Sequence, residues 1–213
     1  MKTSEIVSRI NAEMGVKRKG EWPVSEILIY INKAIKEMWT AAIRWNSSIV
    51  VTEESHAVLT GASTFDLTYN VMALRSILHK NASEAERTQV EVVRIDLLPV
   101  SLANGVPLYA SLSGMKTINI SPSCETDRTF TVNYVKEAPV MLYNESLSDD
   151  TDFPFPDDFN DLVVSYVLMR AFNRIGGKVD NEVGMMSSFM SEFVEMLEHR
   201  EGILLECRGP WTM

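Results

Sequence analysis

The chain reads as an α+β protein: an antiparallel four-helix bundle body, an inserted β-rich lobe of sandwich or barrel type, and an extended C-terminal arm. Three observations lead there. Amphipathic helical stripes occur at both ends of the sequence, short alternating runs fill the middle, and apolar residues continue past the last helix stop. The expected boundaries are 1–46 with 141–202 for the body, 47–140 for the lobe and 203–213 for the arm. Amphipathic helices bury their stripes by packing on one another, which is why the body is expected to be a bundle.

Thr3 or Ser4 can cap a first helix with Ile6, Val7, Ile10 and Met14 on one face. A basic, Gly-containing connector follows (Lys17, Arg18, Lys19), either a solvated loop or a contact for an acidic partner or DNA. A second helix starts near Pro23 to Ser25 and carries Ile27, Leu28, Ile31, Ala34, Ile35, Met38 and Ala42. Trp39 and Trp45 lie close to that stripe and are expected to be buried. After Asn46 come Ile49–Val51, Ala57–Leu59 and Phe65–Leu67, separated by Glu53-Glu54 and Gly61-Ala62-Ser63, then runs from Val71 to Leu78 and Val90 to Ile95. Val100 to Val106 reads as an irregular link with a helical turn. Ile118 and Ile120 alternate with polar residues, as do Phe130, Val132 and Tyr134, and the turn chemistry of Pro122 to Arg128 predicts a hairpin with one wet face.

The sharpest local signal is Phe153-Pro154-Phe155-Pro156-Asp157-Asp158-Phe159, reached through an acidic loop over 144–152. Proline ends an extended approach, Asp157 is a natural N-cap, and Asp158 and Asp161 suit the positive helix start. Leu162, Val163, Tyr166, Val167, Ala171 and Ile175 then keep helical spacing up to Gly176-Gly177. A last helix carries Met186, Phe189, Met190, Phe193 and Leu197 and is expected to end at Gly202, leaving Ile203 to Met213 as the arm. The methionines crowded on it serve as core filler or as an adaptable contact surface.

A net charge of −9 argues against gripping nucleic acid over a broad surface. No apolar run is long enough to span a membrane and no signal-peptide core is present, so the chain is expected to be soluble. Two distant cysteines, Cys124 and Cys207, fit a reduced compartment. His56, His79 and His199 lack zinc-type spacing, and His199 reads as a partner for a helix C-terminus. There is no phosphate loop and no nucleophile elbow. No catalytic residue, metal or cofactor is expected. A metal-dependent hydrolase built on Asp157, Asp158 and Asp161 is the enzymatic alternative.

One further reading comes from the order of motifs. The initial helical pair, Phe65-Asp66-Leu67, Leu108-Tyr109, Ile118-Asn119-Ile120-Ser121-Pro122 and Phe130-Thr131-Val132-Asn133-Tyr134 with Pro139 are followed by an acidic loop, Phe155-Pro156-Asp157-Asp158-Phe159-Asn160-Asp161-Leu162 and a Tyr166 to Arg170 helix. This layout resembles the head-to-tail connector (adaptor) proteins of tailed bacteriophages, including the adaptors of short-tailed phages. The resemblance implies a non-enzymatic virion protein, assembled in the host cytoplasm. It further implies a homo-oligomeric ring, commonly dodecameric, docked on the portal protein and meeting the tail nozzle or tail tube, with DNA passing through the channel unread. Another tail-completion or nozzle protein is the alternative within that class. Under this reading Ile203, Leu204, Leu205, Pro210, Trp211 and Met213 are the expected partner-binding residues, with Leu204, Leu205 and Trp211 as anchors.

Overall fold

The computed structural model describes residues 1–17, 23–101, 103–143, 150–176 and 181–207. The chain divides into two compact units, Met1–Ile49 with Ala138–Met213 and, between them in sequence, Val50–Glu137.

The first unit holds α1 (Thr3–Lys17), α2 (Val24–Arg44), α3 (Asn160–Gly176) and α4 (Asn181–Cys207). The predicted stripes are the buried ones: Ile6, Val7, Ile10 and Met14 on α1, Ile27, Ile31, Ala34, Ile35, Met38 and Ala42 on α2. On the later helices Leu162, Val163, Tyr166, Val167 and Ala171 are buried, as are Phe189, Phe193 and Leu197. The capping differs from expectation. At the start of α1, Ser4 donates from both N–H and Oγ to the buried Asp150, and the Lys2 N–H is taken by Glu5, so the acidic segment caps the helix instead of Thr3 or Ser4. Asp157 accepts from the Met1 ammonium (3.0 Å) and from Asn160, and the chain enters α3 through a 3-10 turn, Asp157–Phe159, without a side-chain cap. Helix α2 closes through Asn46 at φ 56°, with the Ser47 N–H bonded to the Ala42 carbonyl, a left-handed stop that asparagine tolerates.

The four helices do not form an antiparallel bundle body. Helix α3 packs against α1, α2 and α4, and much of the core between them is supplied by the extended approach to α3. Phe155 meets Trp39 edge-on at 5.7 Å, Phe153 at 5.8 Å, Phe159 at 5.8 Å and Phe193 at 5.7 Å. A non-helical aromatic run thus fills space that a bundle would fill with opposing helices. Trp39 is buried here as expected, whereas Trp45 is 53% exposed. Nor does α4 stop at Gly202: it runs through to Cys207, so the first residues assigned to an arm are helical.

The architecture is dominated instead by the second unit, one seven-stranded sheet in the order β1-β7-β3-β4-β5-β6-β2. Its strands are β1 (Val51–Val58), β2 (Thr64–Asp66), β3 (Val71–Asn81), β4 (Thr88–Val92), β5 (Tyr109–Ser113), β6 (Thr117–Ser121) and β7 (Arg128–Lys136). The expected hairpin between the last two is absent. Strand β6 pairs with β5 and β2, while β7 pairs with β1 and β3, so Pro122 to Arg128 crosses between distant parts of the sheet. Its dry positions explain why alternation misled: Thr131 is buried as well as Phe130 and Val132, so both faces of the strand are covered there. The sheet curls until its edges β1 and β2 face each other, a near-closed barrel around Ile77, Val90, Ala110, Ile118, Phe130 and Val132.

Replacing Phe155 with alanine is expected to cost about 3–5 kcal/mol, as for a buried aromatic in a shared cluster. Urea unfolding of the variant against the parent chain measures it. A loss below about 1 kcal/mol would remove Phe155 from its place at the centre of the helical core.

Candidate functional site

The barrel carries three features of chemical interest: its seam, a buried charged cluster at one end of β7, and the long crossover between β4 and β5.

At the seam, Glu54 on β1 reaches past the sheet edge. Its carboxylate accepts from the N–H (3.0 Å) and the hydroxyl of Thr68, just after β2, and from the Tyr134 hydroxyl at 2.6 Å. His56 stacks on Phe65 of β2 at 5.3 Å. Its Nε2 lies 2.9 Å from the Glu54 carboxylate. Burial pushes the Glu54 carboxyl upward, but the bonds from Thr68 and Tyr134 outweigh it and hold the group below the usual carboxylate range. Burial, reinforced by the bond to Glu54, drives the Tyr134 phenol far up, so it remains a neutral donor. Side chains here substitute for the backbone ladder that a closed barrel would have.

At the other end of β7, Arg128 is 3% exposed and donates to His79 Nδ1 (3.0 Å) and to Glu84 (3.1 Å). Since Nδ1 accepts, the other ring nitrogen carries the proton and donates to the Pro107 carbonyl at 3.0 Å. Burial, together with the neighbouring Arg128, holds His79 neutral by depressing its pKa. Cys124 is buried beside them and burial pushes its thiol upward, so it is no nucleophile.

The crossover over residues 93–108 is fastened at several points. Val93 N–H bonds to Ala110 (2.8 Å), Gly105 N–H to Ser123 (2.8 Å), Leu108 N–H to Ser121 (3.1 Å), and Ser121 Oγ to the Pro99 carbonyl. Gly105 is obligatory, because a Cβ there would come within 2.9 Å of Pro122. On this fixed loop Ile95, Leu97, Val100, Val106 and Leu108 face solvent, Val100 at 92% and Leu97 at 65% exposure. A tethered loop that exposes so much aliphatic surface has the form of a contact surface, not of a reaction centre.

Sequence reasoning read 100–106 as an irregular link, as it is among the described residues, but placed the helical turn there when the 3-10 turn is Ile95–Leu97; it did not foresee the exposed aliphatic surface. The available signal was Leu97-Leu98-Pro99-Val100, apolar without either helical or strand spacing. Of the expected partner-binding residues, Ile203, Leu204 and Leu205 fall in the last turns of α4, while Pro210, Trp211 and Met213 lie outside the described residues, as do Trp22, Arg18, Lys19 and 144–149. The three carboxylates considered for a hydrolase are not gathered. Asp157 takes the N-terminal ammonium, Asp158 pairs with Arg200 at 3.0 Å, and Asp161 pairs with Arg9. The hydrogen bond from the N-terminus holds Asp157 below the usual range. His199 lies within α4, which continues to Cys207, so it is not a partner for the helix end.

Tyr134→Phe should cost about 1.5–3 kcal/mol at neutral pH, the usual worth of a hydrogen bond to a charged group. The sign of the pH effect follows from Glu54. Its folded pKa lies below 4.5, so its contribution is full above that value and is lost as pH falls through the folded pKa. Without the Tyr134 hydroxyl that folded pKa rises toward the unfolded value, so the acid loss of stability becomes smaller and ends at a higher pH; urea titrations between pH 3 and 7 (about the carboxylate range) read it. Parallel acid limbs for parent and variant would disprove the seam's role.

A family model described as SU10 adaptor protein matches residues 1–202. No curated protein matches the chain.

Proposed function

We propose that this chain, a member of the SU10 adaptor protein family, is a structural component of a phage virion that docks as a ring on the portal and joins the capsid vertex to the tail. The match over residues 1–202 carries the reading, and the physical features described above support it. Buried titratable groups of the barrel close the seam and fasten the crossover, and the fastened crossover exposes a row of aliphatic side chains. Among the described residues no group of three or more His, Cys, Asp or Glu side chains is gathered for a metal ion, and no helix is long and apolar enough to cross a membrane.

In this reading the net charge of −9 keeps a DNA channel from holding the genome in transit, because phosphate is repelled along the wall. The partners are the portal on one side, the tail nozzle or tail tube on the other, and further copies of the chain, commonly twelve in such rings. The C-terminal residues 203–213 serve as a docking segment, with Ile203, Leu204, Leu205, Pro210, Trp211 and Met213 as its anchors. The aliphatic row of the crossover provides a second contact in the assembled particle.

Two outcomes are expected. The purified chain cosediments with purified portal, and a chain ending at residue 202 does not; recovery with tail tube but never with portal would turn the reading into that of a tail-completion protein. The Leu97→Ser, Val100→Ser variant should unfold within about 0.5 kcal/mol of the parent, since both residues are exposed, yet be depleted from assembled particles. Normal incorporation would remove the crossover from the contact surface.

A further inference from the structure

Helix α4 has two unlike flanks. Its buried stripe is Phe189, Phe193 and Leu197. On one side of that stripe Met190 joins Lys33, Lys36, Glu37, Thr40 and Arg44 of α2 around a groove of about 570 Å³. On the other side Glu192, Glu195, Met196 and His199 line a groove of about 650 Å³ with Asp158 and Arg200. Met190 and Glu192 are about 200° apart around the helix, at 100° per residue. The two grooves therefore lie on different flanks of α4.

Their charges are opposite. In the α2 groove three cations face one carboxylate, and Lys36 and Arg44 make no ion pair among the described residues. In the other groove three carboxylates face Arg200, which is already engaged with Asp158 at 3.0 Å, leaving Glu192 and Glu195 exposed. Each groove has an apolar floor at a methionine, Met190 or Met196, a side chain that adapts to an incoming surface. In a chain of net charge −9, a cationic face is a place where a second copy is attracted and not repelled.

We propose that copies of this chain join head to tail by setting the acidic flank of α4 (Glu192, Glu195) against the basic face of α2 (Lys33, Lys36, Arg44) of the next copy. Two different patches on opposite flanks of one helix make a heterologous contact, which closes into a ring when the rotation allows. The inference rests on the adaptor reading and specifies which surfaces hold neighbouring subunits. Because the pairs are exposed, salt should weaken the contact.

The test uses the full chain with Cys207→Ser, bound to purified portal and oxidised. With Lys36→Cys and Glu195→Cys in one chain, a ladder of cross-linked multimers is expected, shrinking at high salt. Either single variant should stay uncross-linked, and a mixture of the two should stop at dimers. Bound chain without a ladder, or dimers from one single variant alone, would overturn the proposed contact while leaving the adaptor reading intact. No chain in the portal pellet would instead overturn the adaptor reading and the ring contact with it.

Discussion

Strand β7 is the constraint on which the barrel depends. It is hydrogen-bonded to β1 along its whole length and to β3 through a register with two irregularities. Its backbone is satisfied by two neighbours, most of its side chains on both faces are buried, and those near its ends meet polar partners. At one end Arg128 holds His79 and Glu84; at the other Tyr134 holds Glu54. The first pair of contacts fixes the crossover through Pro107, and the second closes the seam. One strand therefore governs both where the sheet ends and where the exposed loop sits.

These polar clusters are costly to bury. Removing the Arg128 charge from water carries a penalty of several kcal/mol, and one of its nitrogens, Nε, has no partner. Well-packed apolar replacements of such clusters are often as stable. What the cluster adds is position: a neutral His79 with a set tautomer can bond to only one carbonyl at a time, and that carbonyl belongs to the loop. A purely apolar contact would let the loop slide. The helical unit solves the same problem with shape, using Phe155 against four aromatic rings, and with backbone, through the bridge between Lys2 and Asp152.

The helices were legible because their signal is local. Spacing of 3.6 residues and a proline approach are both read within one or two turns. The sheet was only half legible. Individual runs such as Val71–Leu78 and Phe130–Tyr134 lie inside strands, but partners are chosen by burial across the whole barrel, so β6 and β7 look like a hairpin and are not one. Glu53-Glu54 read as a break between two runs because acidic pairs seldom sit mid-strand; β1 continues through them because Glu54 is needed at the seam. The bundle was inferred from stripes alone, and stripes do not reveal that a loop of phenylalanines will occupy the space between them. Glycine misled at position 202, where α4 tolerates it within the helix. The connector resemblance, resting on motif order, agreed with the family where geometry by itself could not.

Charge links the barrel and the helices to the proposed assembly. Many copies of a chain at −9 repel one another over about a Debye length, roughly 10 Å in 0.1 M salt. Free in solution they have reason to stay apart. Ring formation then needs local attraction stronger than the mean repulsion, and it needs a template that raises local concentration so that individually weak contacts add up. In the proposed contact, the acidic flank of α4 and the basic face of α2 meet the first requirement without any two-fold pairing of identical patches, which would end growth at dimers. The rigid aliphatic crossover meets the second if it binds what the ring is built upon, since a fastened loop loses little conformational freedom on docking. In the proposed ring, contacts of this kind stay weak until the partner gathers the copies.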